Sequence, residues 1–236
     1  MNIKIGRLRT GAETARGIAV IIDVFRAFTC APLLFSLGIE KSILVSNPEE
    51  ALALKAADEN LMLIGEIEGI PIQGFDFGNS PGQLLRAKPS LFVDKTIVQR
   101  TSSGVQGVIA ALSAAEEVLL GSFNLARATA SYISAKKPEY VSLVAMGWSL
   151  REKAPEDEYC ARYLAHLLGT GQYDHVAALR EIIFHKSTRK FLKGDLGHLP
   201  AEDPIICLQR NVYDFVLRAE WENGLAVVRK ICLDPE

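Results

Sequence analysis

The sequence predicts an α/β fold in which a mostly parallel sheet is flanked by helices. Short apolar runs rich in β-branched residues alternate with helix-like segments over roughly the first 170 residues, and this alternation is typical of βαβ units. The clearest run, 18–22, contains no polar residue, as expected for a strand that is buried on both faces of a sheet. The 236 residues are 49% hydrophobic, which is enough for one substantial core.

The predicted elements follow in order from this first strand. Residues 27–37 favour a helix, although Pro32 suits only a first turn. Residues 41–45 form a second strand, and the capping residue, proline and acids of 46–50 then open a helix to about residue 60. The later predictions are strands over 61–64, 96–99, 117–120 and 140–145, a long loop over 65–80, and helices over 104–115, 124–137 and 155–168.

The alternating pattern weakens from Gly171 onward. Residues 172–190 favour a helix, residues 192–203 a loop, and residues 227–232 an edge strand. No linker rich in proline, glycine or serine separates this region from the rest. We therefore predict a single domain over 1–236, with a less regular C-terminal subdomain from about residue 171.

Composition excludes several classes of protein. The chain has 26 basic and 28 acidic side chains, so it has no broad positive surface for nucleic acid or an anionic membrane. No apolar run is long enough to predict a transmembrane helix, and residues 1–11 contain no segment of signal-peptide length. The cysteines are scattered without CxxC spacing, which favours buried free thiols in a cytoplasmic protein. A homodimer is the expected assembly, because symmetric dimers are common.

Carboxylates follow several predicted strands, at the edge where open α/β sheets bind their ligands. Asp23 comes directly after five apolar residues, and a buried acid needs a cation, hydrogen-bond donors or a metal. An oxygen-rich group of this kind suits Mg²⁺. The alternative is that Asp23 pairs with Arg26 while the acids of 156–158 only complement a helix dipole. The candidate metal ligands are Asp23, Glu66, Asp76, Glu156 and Asp157.

A turn of hydroxyl residues and glycine, 101–104, lies between a predicted strand and a helix. Such a turn can present backbone N–H groups and hydroxyls to an anion, and the helix N-terminus adds partial positive charge. Arginines beside the turn would bind phosphate or sulfonate oxygens. The alternative is ordinary helix capping, and no Walker motif is present. The candidate substrate-binding residues are Arg26, Asn79, Ser80, Arg100, Thr101, Ser102, Ser103 and Gly104.

Other catalytic motifs are absent from the sequence. The four histidines have no HExxH or CxxC partners, so a zinc site is not expected. There is no GxSxG nucleophile elbow, and no GxGxxG follows the first strand. Trp148 and Trp221 are assigned to packing, with lining of a pocket as the alternative.

At the candidate site residues the sequence resembles the 2-phosphosulfolactate phosphatases, the ComB family of coenzyme M biosynthesis. Each matching segment is short, but their order along the chain is that of the family over roughly residues 17–170. The segments are DVFRA at 23–27, GFDFGNSP at 74–81, TSSG at 101–104, GSF at 121–123 and EDEYCA at 156–161.

The resemblance implies Mg²⁺-dependent hydrolysis of 2-phospho-3-sulfolactate to 3-sulfolactate and phosphate on a compact α/β fold. Two departures from the family pattern bear on which acid is bound: Ser103 and Val105 replace residues of a Thr-Asn-Gly-Thr turn, and Phe28 stands where a small hydroxyl residue is frequent. The catalytic residues expected from the resemblance are Asp23, Arg26, Asp76 and Asp157.

Several alternatives stay open at this point. The nucleophile is either a metal-activated water or one of the aspartates. A Mg²⁺-dependent isomerase or lyase would use the same site on a phosphorylated or sulfonated acid without releasing phosphate. A non-catalytic binding protein would keep the anion site but lose the metal acids, and the four acids Asp23, Glu66, Asp76 and Asp157 argue against it.

Overall fold

The computed structural model describes residues 1–233. Within them, ten strands form one sheet. The strands are β1 (Asn2–Arg7), β2 (Ile18–Ile22), β3 (Lys41–Leu44), β4 (Met62–Ile67), β5 (Ile70–Pro71), β6 (Thr96–Arg100), β7 (Glu117–Gly121), β8 (Tyr140–Ala145), β9 (Phe215–Glu222) and β10 (Leu225–Cys232).

Helices cover both faces of this sheet. The α-helices of the described residues are α1 (Leu8–Glu13), α2 (Ala27–Ser36), α3 (Pro48–Ala57), α4 (Pro81–Arg86), α5 (Gly104–Ala111), α6 (Ala126–Lys136), α7 (Pro155–Leu167), α8 (His175–Phe184), α9 (Lys186–Leu192) and α10 (Asp203–Cys207). Short 3-10 helices occupy Pro89–Leu91 and Phe123–Leu125. The predicted fold class, α/β with a mostly parallel sheet, is confirmed.

The sheet consists of two parallel blocks joined by an antiparallel hairpin. Its strand order is β1-β8-β2-β7-β9-β10-β3-β6-β4-β5. The strands β1, β8, β2 and β7 are mutually parallel, as are β3, β6 and β4. The hairpin of β9 and β10 pairs antiparallel with β7 on one side and β3 on the other. The two blocks therefore run in opposite directions along the sheet.

The C-terminal hairpin corrects the prediction of an edge strand over 227–232. Strand β10 lies inside the sheet, because it pairs with both β9 and β3. The N-terminal strand β1, which the sequence does not predict, takes the edge beside β8. Its isoleucines, Ile3 and Ile5, are only half-buried and alternate with polar residues, which is the pattern of an edge strand.

Strand β2 forms the centre of the core. All five of its residues are buried, and its side chains alternate between two hydrophobic clusters on opposite faces of the sheet. Helices α2 and α5 pack on one face, and α6 and α7 on the other. Pro32 lies inside α2 rather than in its first turn. Asn47 caps α3, as predicted, by accepting a hydrogen bond from the N–H of Glu50 at 2.9 Å.

Strand ends from the two blocks meet although four strands separate them. Asp23 follows β2, and its Oδ2 lies 2.7 Å from the backbone nitrogen of Gly104, which follows β6. In a flat sheet the five strand spacings between β2 and β6 alone would separate these groups by roughly 24 Å, and the opposite strand directions would place them at opposite edges. The sheet is therefore twisted and folded over itself, and this curvature forms the pocket described below.

The region after residue 170 contains more helices than predicted. The single helix expected over 172–190 is two helices, α8 and α9, because His185 has the extended backbone of a helix cap and accepts a hydrogen bond from Ser187. Of the loop predicted over 192–203, residues 193–202 are irregular, whereas Leu192 ends α9 and Asp203 begins α10. Of the free cysteines, Cys30, Cys160 and Cys207 are buried as expected, whereas Cys232 is exposed. Within residues 1–233, no helix has the length and apolar character needed to cross a membrane.

Candidate active site

A pocket lies where β2, β4, β6 and β8 end. Six of the predicted site residues line it: Asp23, Arg26, Glu66, Asn79, Ser102 and Ser103. Trp148 also lines it, which was the alternative to packing, and the other principal wall residues were not predicted for the site: Phe25, Glu68, Ser149, Phe191 and Leu199. The convergence of polar groups on strand ends is therefore present, and it is completed by side chains from the C-terminal region.

Asp23 is held by two backbone N–H groups at the start of helices. Its Oδ2 accepts a hydrogen bond from Gly104 at 2.7 Å, and its Oδ1 accepts one from Ala27 at 3.3 Å. The side chain is only 6% exposed. The pKa of Asp23 is raised to about 7, first by burial and then by the nearby charge of Glu66. Asp23 therefore binds its proton more tightly than a solvent-exposed aspartate does.

Arg26 does not pair with Asp23, in contrast to the alternative considered from the sequence. Its Nη1 donates to Oδ2 of Asp203 and to the carbonyl oxygen of His198, both at 2.8 Å. Its Nη2 donates to the carbonyl oxygen of Gly69 at 3.3 Å. The guanidinium carbon lies 5.3 Å from the ring centre of Phe191, so the arginine is fixed on several sides at the pocket wall.

Glu66 connects the end of β4 to the turn that follows β6. Its Oε1 accepts a hydrogen bond from the N–H of Ser102 at 2.6 Å, and its Oε2 accepts bonds from the Ser102 hydroxyl at 3.2 Å and the N–H of Gly69 at 2.5 Å. The residue is 7% exposed. Because each carboxylate oxygen has two lone pairs, Glu66 keeps acceptor capacity after these bonds.

The turn 101–104 differs from the predicted anion site. Ser102 and Gly104 give their N–H groups to Glu66 and Asp23, and Val105 gives its N–H to the Thr101 hydroxyl at 3.1 Å. The N-terminus of α5 therefore holds carboxylates of the protein itself. The Thr101 hydroxyl thus accepts a hydrogen bond from a backbone N–H in the first turn of α5, whereas the N-cap residue, Ser103, makes no side-chain capping hydrogen bond. Ser102 and Ser103 are the residues of the turn that line the pocket.

Two predicted acids lie behind the pocket wall. Asp157 accepts hydrogen bonds from the N–H groups of Val24 and Gly147, both at 2.8 Å, and so ties together the segments after β2 and β8. Burial and then the charge of Asp23 raise the pKa of Asp157. Burial likewise raises the pKa of Glu156 to about 7, with a further contribution from Asp23. Both acids support the site without lining it.

Three other predicted residues are placed outside the pocket. Asp76 has a side chain that is 39% exposed and accepts a hydrogen bond from the N–H of Leu63 at 2.7 Å, with Lys55 at 3.4 Å. Ser80 caps α4 and donates its hydroxyl to Asp203. Arg100 donates to the carbonyl oxygens of Glu66 and Ser46. The structure does not bring these three side chains together with Asp23.

The oxygen donors of the pocket fit a magnesium ion bound through few protein ligands. Within the described part of the chain, no three histidine, cysteine or carboxylate side chains are grouped to hold a metal. Asp23 and Glu66 nevertheless line one pocket, and Oδ1 of Asn79 is buried there without a hydrogen-bond partner among residues 1–233. Mg²⁺ is commonly bound by one or two carboxylates, with waters and substrate oxygens completing its shell.

Asp203 is the buried acid that sequence reasoning missed. It is fully buried and binds Arg26, yet it stands at the end of a segment that looked like a loop. The one local sign was Pro204, which favours a helix start directly after an acid. Its partners are more than 100 residues away in the chain, so no local pattern could have paired them.

Comparisons with known proteins agree on one family. The family model described as 2-phosphosulpholactate phosphatase matches residues 7–221. A "Probable 2-phosphosulfolactate phosphatase" of Bacillus subtilis is 29% identical over 92% of this chain and 92% of its own length. A protein of the same name from Caldicellulosiruptor saccharolyticus is 38% identical over 63% of this chain and 61% of its own. One from Thermus thermophilus is 34% identical over 64% and 62%.

Proposed function

The chain belongs to the 2-phosphosulpholactate phosphatase family, and on that basis we propose that it hydrolyses the phosphate monoester of a small anionic 2-hydroxy acid. The proposed substrate is 2-phospho-3-sulfolactate, and the products are 3-sulfolactate and phosphate. The observation that supports this most directly is the pocket itself, where Asp23, Glu66 and Arg26 meet at the ends of strands from both blocks of the sheet. Such a set of acids and a fixed arginine suits phosphoryl transfer.

The proposal includes Mg²⁺ as the cofactor. Asp23 and Glu66 would hold the ion, with Oδ1 of Asn79 as a neutral oxygen donor. When bound, the ion would neutralise charge on the phosphoryl oxygens and between the two carboxylates. The pKa of Asp23 is raised first by burial and then by the charge of Glu66, and a bound cation would offset both effects.

Arg26 is proposed to bind the phosphoryl group. A guanidinium has five N–H donors, and three contacts to Asp203, His198 and Gly69 leave some of them for a ligand. Those contacts also fix the plane of the guanidinium before the substrate arrives. Preorganised donors of this kind stabilise charge in the transition state without rearranging. The hydroxyl of Ser103, which also lines the pocket, would add a contact to a phosphoryl oxygen.

We favour water over an aspartate as the nucleophile. Both oxygens of Asp23 accept backbone hydrogen bonds, which lower the nucleophilicity of the carboxylate and fix its position. In the proposed step a water oxygen attacks phosphorus, and the bond between phosphorus and the 2-oxygen of the acid breaks. The leaving oxygen gains a proton, and the attacking water loses one, so that 3-sulfolactate and phosphate are formed.

The test is phosphate release from a panel of 2-phospho acids that includes 2-phosphosulfolactate and 2-phospholactate, with Mg²⁺ and then with EDTA. Metal-dependent release that favours the sulfonated acid is the expected result. Asp23→Asn should lower the rate about 10²-fold or more, because a key electrostatic group is lost. Asp58→Asn is the matched control, since Asp58 is an exposed aspartate at the end of α3.

Other outcomes separate the alternatives. Metal-dependent release without a preference for the sulfonated acid would support the phosphatase activity but contradict the proposed substrate. Release that is unaffected by EDTA would contradict the magnesium proposal alone. Tight binding with no phosphate release from any ester would contradict the hydrolase and favour a lyase, an isomerase or a binding protein.

A further inference from the structure

The turn after β8 forms one wall of the pocket, and the proposed mechanism assigns no role to its residues. Gly147, Trp148 and Ser149 all line the pocket. The turn is fixed by hydrogen bonds from the N–H of Gly147 to Asp157 and from the N–H of Trp148 to the carbonyl oxygen of Glu152, both at 2.8 Å. This wall belongs to the first parallel block, whereas Glu66 and the serines of the 101–104 turn belong to the second.

Ser149 is held in this wall in an unfavourable backbone conformation. Its φ is 47° and that of the following residue, Leu150, is 59°. Two successive non-glycine residues in the left-handed region are uncommon, and such residues persist where surrounding contacts hold them, frequently at binding sites. The backbone hydrogen bonds between Trp148 and residues 151 and 152 close the turn and hold Ser149 in this conformation.

The hydroxyl of Ser149 is buried and has no hydrogen-bond partner among residues 1–233. Buried hydroxyls nearly always have a partner, so an unpaired one in a pocket wall points to a ligand. Asn79, whose Oδ1 is also buried and unpaired, lines the same pocket. Two residues with an unpaired buried polar atom therefore line one pocket, and the proposed mechanism uses only Asn79.

We propose that Ser149 determines substrate specificity by donating its hydroxyl hydrogen to an acid group of the substrate other than the phosphoryl group. The inference rests on the proposed function, which directs the phosphoryl group to Arg26, Asp23 and Glu66. Ser149 follows β8 and is separate from the three side chains assigned to the phosphoryl group, so its unpaired neutral hydroxyl is available to a carboxylate or sulfonate oxygen. Lys190, whose Nζ lies 4.7 Å from the ring centre of Trp148, adds a positive charge beside this wall.

The experiment compares Ser149→Ala with wild type in two measurements. Steady-state kinetics give KM and kcat for 2-phosphosulfolactate, and competition gives the inhibition constant of inorganic phosphate, which has no second acid group. We expect Ser149→Ala to raise KM about tenfold, as for one lost hydrogen bond to a charged group. The kcat and the inhibition constant of phosphate should change less than twofold.

Ser42→Ala is the matched control. Ser42 is also a buried serine whose hydroxyl has no partner among the described residues, but it lies on β3 and does not line the pocket. This variant should leave KM and kcat unchanged. Thermal melting of both variants establishes that each is folded.

Two results would overturn the proposal. An unchanged KM in Ser149→Ala would show that the hydroxyl does not contact the substrate. Equal weakening for 2-phosphosulfolactate and for inorganic phosphate would assign Ser149 to the structure of the turn. If wild type releases no phosphate, the proposed function fails by itself, and calorimetric binding of 2-phosphosulfolactate to the same variants then decides the role of Ser149.

Discussion

Arg26 and Asp203 form an ion pair that is almost closed to solvent. Nη1 of Arg26 lies 2.8 Å from Oδ2 of Asp203, and the two side chains are 4% and 0% exposed. The other carboxylate oxygen of Asp203 accepts hydrogen bonds from the Ser80 hydroxyl and the N–H of Gly82, both at 2.9 Å. One acid at the start of α10 therefore positions both the arginine after β2 and the start of α4.

Replacement of Asp203 should reduce activity through Arg26. Asp203→Asn removes the charge that orients the guanidinium, so we expect kcat/KM to fall about 10²-fold, as for small displacements of a positioning group. In an Arg26→Gln background the same change should have little further effect, because the group that it positions is already gone. The measurement is a double-mutant cycle on phosphate release.

The neighbouring acid provides the control for this cycle. Glu202→Gln removes a carboxylate whose side chain is 40% exposed and which pairs with Arg86 on the surface. Exposed ion pairs contribute little, so activity should stay within twofold of wild type. Fully additive losses for Asp203→Asn and Arg26→Gln would contradict the positioning role.

Gly104 allows the backbone of α5 to approach Asp23. A Cβ atom at this position would lie 2.8 Å from Oδ2 of Asp23 and 2.9 Å from Cζ of Phe28, which is fully buried. Since Phe28 has no room to move, Gly104→Ala should displace the carboxylate and lower phosphate release about 10²-fold. Gly197→Ala is the control, because a Cβ there has nothing within 4 Å. Equal activity of the two variants would argue against a fixed Asp23.

Much of the fold could be predicted because the relevant patterns are local. The apolar run of β2 and the cap of α3 are each contained within a few consecutive residues. The position of the hairpin formed by β9 and β10 is different, since it depends on pairing with β7 and β3. Those partners are about 100 or more residues distant in the chain, and no local periodicity specifies them.

The candidate site could likewise be predicted only where a local sequence pattern marked a residue. Asp23 was identified because an acid directly after a buried strand needs partners, and the structure supplies those partners as backbone N–H groups. Asp203 and Ser149 were missed because their importance arises only from tertiary contacts. Asp76 looked equivalent to Asp23 in the sequence, but its loop turns it toward Lys55 at the surface.

The different positions of Asp23 and Asp76 predict different effects of their replacement on activity. Asp76→Asn should retain phosphate release within about threefold of wild type, since Asp76 lies outside the pocket and an asparagine oxygen can still accept the hydrogen bond from Leu63. Asp23→Asn, measured in parallel, should lose about 10²-fold. Comparable losses in both variants, with both proteins folded by circular dichroism, would return Asp76 to the catalytic set.

The raised pKa of Glu156 predicts that the stability of the metal-free protein depends on pH. Burial and the charge of Asp23 raise its pKa from an ordinary 4.5 to about 7. The native state therefore binds this proton more tightly than the unfolded chain does, and the free energy of unfolding falls as the pH rises from about 4.5 to 7. Glu156→Gln cannot ionise, so it should lack this part of the decline.

The measurement is denaturant unfolding of both proteins in EDTA at pH 4 and pH 8. Relative to wild type, Glu156→Gln should gain on the order of 1–3 kcal/mol of unfolding free energy between these two pH values, from about 1.4 kcal/mol per unit of pKa shift. Glu158→Gln is the matched control on the same helix, because the Glu158 side chain forms an ion pair with Arg7 at 2.6 Å. Parallel pH profiles for wild type and Glu156→Gln would mean that Glu156 is ionised without penalty in the native state, and a cation or donor other than Ser187 would then have to face it.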